Sequence, residues 1–229
     1  MAPANHFKIW KVTTKTAGRG VTLRGQFDKL NQDAVLQTVE WLANPVKKND
    51  EAVGDPKQHL VGYSLKTAPA PKRWVILSNQ FHKPKDQTLW HLGDLAALLV
   101  PASKVYQGDA PQPPTDLDHY ACYVVEQPQA FAQGVVLEDQ FDVRLKRLEK
   151  IAKLEPAFFG VPVSKNGEKL INVDMHLALY DIAPKADSGK PPIKVITRDQ
   201  FGVLELTVEE SLMLAVPSEK LKWAEGKGP

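Results

Sequence analysis

His176-Leu-Ala-Leu-Tyr-Asp-Ile182, Asp199-Gln-Phe201 and Val216-Pro-Ser-Glu-Lys220 make up the clearest copy of a phrase that the chain writes four times. The phrase opens on His, three residues and Trp or Tyr, at His6 to Trp10, His59 to Tyr63, His119 to Tyr123 and His176 to Tyr180. It continues with Gln26-Phe27, Gln80-Phe81, Gln140-Phe141 and Gln200-Phe201. It closes with Pro, two residues and Lys, at Pro45 to Lys48, Pro101 to Lys104, Pro162 to Lys165 and Pro217 to Lys220. A phrase that returns about every 57 residues is the mark of one supersecondary unit copied along the chain.

The fourth copy predicts the content of a unit. His176 to Ile182 has the length and bounding of a strand, Ile193 to Arg198 alternates, and Gly202 to Val208 alternates strictly, as a half-buried strand does. Beyond a polar turn at Glu209-Glu210, Leu212 to Val216 reads as a further strand stopped by Pro217, because proline cannot donate to a ladder. Unit one repeats this with strands at Phe7 to Val12, Val21 to Phe27, Ala34 to Val39 and Trp41 to Val46. The chain is therefore expected to be all-β, with three or four antiparallel strands per unit. Val143 to Leu154 is rich in helix formers, but its place in the repeat assigns it to a strand with a helical turn near Ile151.

Gln107 to Asp116 carries three prolines and reads as a stiff linker. Units one and three share a closing phrase, Pro45-Val-Lys-Lys-Asn49 and Pro162-Val-Ser-Lys-Asn166, which units two and four lack. A single unit is too short to bury both faces of its sheet. The expected parse is a double-repeat module at 1–106 (units 6–48 and 59–104), a linker at 107–118, and a second module at 119–229 (units 119–165 and 176–220). Each module would close as a barrel or sandwich; the alternative is a four-bladed propeller with one unit per blade.

Composition narrows the function. The 29 basic and 27 acidic residues are interspersed, with no basic stripe for phosphate neutralisation, so nucleic acid is not expected as a partner. No apolar run is long enough for a membrane-spanning helix, and Met-Ala-Pro-Ala-Asn is not the start of a signal peptide. Cys122 is the single cysteine, which excludes an internal disulfide.

Several phrases, among them Asn44-Pro45-Val46, Asp55-Pro56, His59-Leu60-Val61, Ser78-Asn79-Gln80-Phe81 and Val216-Pro217-Ser218-Glu219-Lys220, resemble a bacterial repeat family of unknown function. The resemblance covers all four units. It implies an exported protein, with strand-tethering cysteines three residues after the opening His and two before the closing Pro. Here the first kind of position includes Ile9, Gly62 and Cys122, and the second holds Ala43, Leu99, Gly160 and Ala215. The resemblance brings no activity with it.

Candidate sites follow from residue type. His6, His59, His119 and His176 are candidate ligands for a transition metal, since imidazole is the commonest metal ligand and four related copies can converge on an axis. The opposing expectation is that each fixes the entry of a strand, because a residue that every unit's fold needs recurs in every unit. Gln-Phe is expected to plug the core and satisfy a turn, and Pro-x-x-Lys to end a strand with a solvated charge. Trp41, Trp74, His82 and Trp90 are the candidate ligand-binding set, concentrated in the first half as a glycan or apolar ligand would require. No catalytic constellation is legible, and Cys122 sits mid-strand as an inert thiol would. The leading expectation is an interaction or scaffold protein without catalysis, with a protein or glycan partner. Metal binding by the histidines and carbohydrate binding by the tryptophans are the two alternatives.

Overall fold

The computed structural model describes residues 4–14, 18–182, 193–226 and 228. They form an all-β, sandwich-like fold in which one large antiparallel sheet carries every strand. Each unit contributes three strands. Unit one supplies β1 (Phe7–Thr13), β2 (Arg19–Gly25) and β3 (Gln32–Lys48), and unit two supplies β4 (His59–Thr67), β5 (Arg73–Ser78) and β6 (Thr88–Val105). Unit three supplies β7 (His119–Glu126), β8 (Phe131–Asp139), the short helix α1 (Gln140–Leu145) and β9 (Glu149–Lys165). Unit four supplies β10 (His176–Ile182), β11 (Ile193–Asp199) and β12 (Gly202–Glu225).

Three sequence expectations need correction. The expected third and fourth strands of a unit are one long strand, and Glu209-Glu210 lies inside β12. A register irregularity sits at this point, where Trp10 faces Ser211 and Val12 faces Val208, and a bulge of this kind bends a strand without ending it. The prolines do not stop the long strands either. Phe7 pairs with Pro45, Leu60 with Pro101, Tyr120 with Pro162 and Leu177 with Pro217. On the other side of each proline the neighbouring strand has not yet begun, as with β4, which starts at His59 opposite Asn44. Proline thus meets a ladder on one side only, the situation a sheet tolerates. Finally, the helical turn of unit three comes before the strand: Asp139 caps α1 by accepting from the Phe141 and Asp142 amides, and β9 runs from Glu149.

The opening strands and the C-terminal halves of the long strands pair in a closed circuit, β1–β3–β4–β6–β7–β9–β10–β12 and back to β1. Alternation sends one face of this circuit to a compact cluster that includes Phe7, Ile9, Trp41, Leu60, Leu99, Cys122, Leu179 and Met213. Gly62 is required here, because a Cβ would lie 2.8 Å from Trp41. The opposite face, with Leu42, Val61, Leu98, Tyr123, Val161, Tyr180 and Leu214, joins a larger cluster.

That larger cluster is covered by four arms, in which each unit's second strand pairs with the N-terminal half of its own long strand. The tips are exchanged between units. β2 pairs with the end of β9 and β8 with the end of β3, so units one and three exchange arms. β5 pairs with the end of β12 and β11 with the end of β6, so units two and four do the same. The shared asparagines belong to this exchange. Asn49 and Asn166 adopt positive φ, and each clips the opposite arm by accepting from the Val136 amide or the Thr22 amide at 2.9 Å. Strands on either side of residues 107–118 therefore pair with one another throughout the sheet.

Candidate functional site

The repeated residues meet across the exchanged arms. Phe27 packs edge-on against Tyr123 at 5.4 Å, Phe81 against Tyr180 at 5.7 Å, Phe141 against Trp10 at 5.4 Å and Phe201 against Tyr63 at 5.5 Å. Every Gln-Phe phenylalanine thus contacts the strand-opening aromatic of the unit two places away. The residue before Gln-Phe holds the polar end of the same aromatic. Asp139 accepts from Trp10 Nε1 at 2.7 Å, Asp199 from the Tyr63 hydroxyl at 2.6 Å, and Asn79 donates to the Tyr180 hydroxyl at 2.9 Å. Sequence reasoning missed this position, although Asp or Asn before Gln-Phe is visible in three of the four units. Unit one has Gly25 there, and Asp28 accepts from its amide instead.

The histidines and glutamines join neighbouring units. The Gln80 amide donates to His6 Nε2, and the Gln200 amide to His119 Nε2. Gln140 donates to the Pro56 carbonyl just before His59, and Gln26 to the Val173 carbonyl just before His176. His176 Nδ1 donates to the Asp174 carbonyl at 3.0 Å. Burial lowers all four imidazoles from their ordinary 6.5, His6, His119 and His176 to about 4 and His59 to about 3. Among the described residues, no group of three or more His, Cys, Asp or Glu side chains is disposed to hold a metal ion.

The closing lysines depart from expectation, because two are buried and the other two are partly covered. Lys48 and Lys165 are buried and pair with Glu51 and Glu168. Lys104 and Lys220 lie over the rings of Phe141 and Phe27. The strand continues past the proline, which turns Lys104 and Lys220 onto the neighbouring arm's phenylalanine.

Of the candidate ligand-binding set, the fold brings together His82 and Trp90, whose rings meet at 6.3 Å beside a cleft of about 480 Å³. His91, Glu126, Gln129 and Phe131 are among the other residues that line it. Trp90 is mostly buried, and its ring also meets Phe159 and Tyr180. Trp41 lies elsewhere, in the compact cluster against Phe158, and Trp74 is buried on β5 opposite His91.

A second group, which sequence reasoning did not single out, is polar and draws on all four units. Lys8, Asn44, Asp142 and Glu149 have no solvent exposure and Asp139 almost none. Lys8 Nζ bonds both Asp142 oxygens at 2.9 and 2.7 Å and pairs with Glu149. Arg147 Nε also donates to Asp142, at 2.9 Å, and Ser211 donates to Glu149. Asn44 donates to Asp139 Oδ2 at 2.9 Å and accepts from Lys104 Nζ at 2.8 Å. Burial lowers Lys104 to about 7 and pushes the Asp139 carboxyl up, against the pull of Lys8. The signal was present in the repeat. At the position of Asn44 the other units have Val100, Val161 and Val216, and at that of Lys8 they have Val61, Ala121 and Ala178, all buried.

A family model described as a repeat of unknown function (DUF7450) matches residues 59–217, which span units two and three and most of unit four. No curated protein and no solved structure matches the chain.

Proposed function

We propose, from the premise that this chain belongs to the DUF7450 repeat family, that it is a rigid interaction or scaffold protein whose partners are engaged by surfaces that differ between units. One observation carries this reading. The residues that recur in every unit are occupied in joining units, as in the four contacts of Phe27, Phe81, Phe141 and Phe201 with Tyr123, Tyr180, Trp10 and Tyr63. Repetition is thereby accounted for by the fold, and individuality is left to the unrepeated cleft and loops.

Elemental mass spectrometry on protein purified without chelator tests this against metal binding. The scaffold reading expects no stoichiometric transition metal, together with a lower melting temperature for His59→Ala. One equivalent of zinc, copper or iron, lost in the His59→Ala/His119→Ala double variant, would overturn it. A second reading, carbohydrate recognition, is favoured by the cleft beside His82, His91 and Phe131, where rings and amides adjoin. Titration of tryptophan fluorescence with a panel of oligosaccharides checks it: saturable quenching that is absent in Phe131→Ala supports it, and no response to any sugar rejects it.

A further inference from the structure

We propose that the chain forms an internal amide cross-link between the Lys104 side chain on β6 and the Asn44 side chain on β3, with Asp139 carrying the proton. The three groups are in line: Lys104 Nζ touches Asn44 Oδ1 at 2.8 Å, and Asn44 Nδ2 touches Asp139 Oδ2 at 2.9 Å. Asn44 and Asp139 are buried, and Lys104 lies over the Phe141 ring at 4.2 Å with Tyr106 at 5.8 Å. An amine held against a buried carboxamide is an intramolecular reactant pair with a high effective concentration.

The chemistry balances without a co-reactant. Neutral Lys104 Nζ adds to Asn44 Cγ, and the carbonyl electron pair moves onto Oδ1. Nζ gives up one proton and Nδ2 gains one: Asp139, whose Oδ2 contacts Nδ2 at 2.9 Å, delivers a proton to Nδ2 and is restored by the one that Nζ sheds. The Cγ–Nδ2 bond then breaks, ammonia leaves, and an Nζ–Cγ amide remains. Burial brings Lys104 to about 7, so a substantial fraction of the amine is neutral near neutral pH.

The repeat argues that this set is more than packing. At the place of Asn44 the other three units bury valine, which costs nothing, whereas the buried Asn44 amide and Asp139 carboxylate carry a desolvation penalty. The neighbouring pair Lys8 and Asp142 is a poorer reactant. Asp142 offers a carboxyl group in place of an amide, and that group is engaged by two basic side chains, Lys8 and Arg147. The proposed bond joins residues 60 apart in sequence and ties unit one to unit two.

Intact-mass spectrometry of the folded wild-type chain after incubation at mildly alkaline pH is the test. The expected mass is lower than the sequence mass by one ammonia, with a tryptic peptide in which the Lys104 and Asn44 segments are joined. Lys104→Arg keeps the cation over Phe141 and should show the full mass, and Asp139→Asn should slow the mass loss at least tenfold. Asn44 precedes Pro45, which has no N–H with which to form a succinimide, so loss of ammonia at this residue has no competing route along the backbone. Full sequence mass in folded wild type overturns the proposal. So does ammonia loss that persists in Lys104→Arg, or loss of water mapped to Lys8 and Asp142.

Discussion

Each repeated histidine is buried as a neutral ring, and this has a consequence for acid stability. An imidazole whose folded value lies at about 4 or 3, against an ordinary 6.5, binds its proton in the unfolded chain first. The unfolded state therefore holds more protons between pH 6.5 and about 4, and stability falls as pH drops through that window. Above pH 6.5 both states are neutral and the contribution is complete. Each histidine adds on the order of 1 kcal/mol per pH unit inside the window, so four acting together should dominate the acid limb. Asp139 and Asp199 oppose them, since burial raises their folded values. Urea unfolding at pH 7.5, 6 and 5 should show a midpoint that falls steeply below pH 6.5. A midpoint unchanged from pH 7.5 to 5 would mean that the rings are protonated within the fold. The His6→Gln/His119→Gln double variant should flatten the slope by about half, because two of the four titrating rings are gone.

At the scale of the strand, the positions at which the resemblance implies cysteines turn out to be cross-strand partners. Ile9 pairs with Ala43, Gly62 with Leu99 and Cys122 with Gly160, each joining a unit's first and third strands. Gly160→Cys would place a second thiol directly opposite Cys122. A Cβ at Gly160 comes within 3.3 Å of the Leu177 Cβ, a tight fit that needs a small shift. The variant is expected to form one disulfide under a mild oxidant, seen as the loss of two thiols by alkylation and mass spectrometry, and to melt higher oxidised than reduced. Two reactive thiols in the oxidised, folded variant would show that the register differs. Much of the strand content was legible in the sequence: His176 to Ile182 is β10 to the residue, because alternation and a bounding polar turn define a strand locally. The continuity of β3 and β12 was not, since a bulge and a one-sided proline both resemble strand ends when the partner strand is unknown. The polar cluster escaped notice for a related reason. Lys8, Asn44 and Asp139 are far apart in sequence, and the arm exchange that gathers them follows from no local propensity.

For the whole molecule, the decisive fact is which units exchange arms. Units one and two would be self-sufficient if β2 and β5 completed their pairing within residues 1–106. Instead β2 reaches β9, β5 reaches β12, and β8 and β11 return to β3 and β6. The circuit also joins the two halves at β6–β7 and at β12–β1. Separating the halves would expose the outer edges of β1, β6, β7 and β12, and would leave Phe27 and Phe81 without Tyr123 and Tyr180. Hydrophobic burial on that scale outweighs the local stability of any one hairpin, which is marginal alone. The chains 1–106 and 119–229, made separately, should therefore each give broad, poorly dispersed amide NMR spectra. Mixed at equal concentration they should combine one to one and recover a single cooperative melt. Cutting the intact chain within 107–118 by an inserted protease site should leave the two pieces associated. Two independently dispersed spectra that do not change on mixing would instead mean that each half closes on its own, as the linker composition alone suggests.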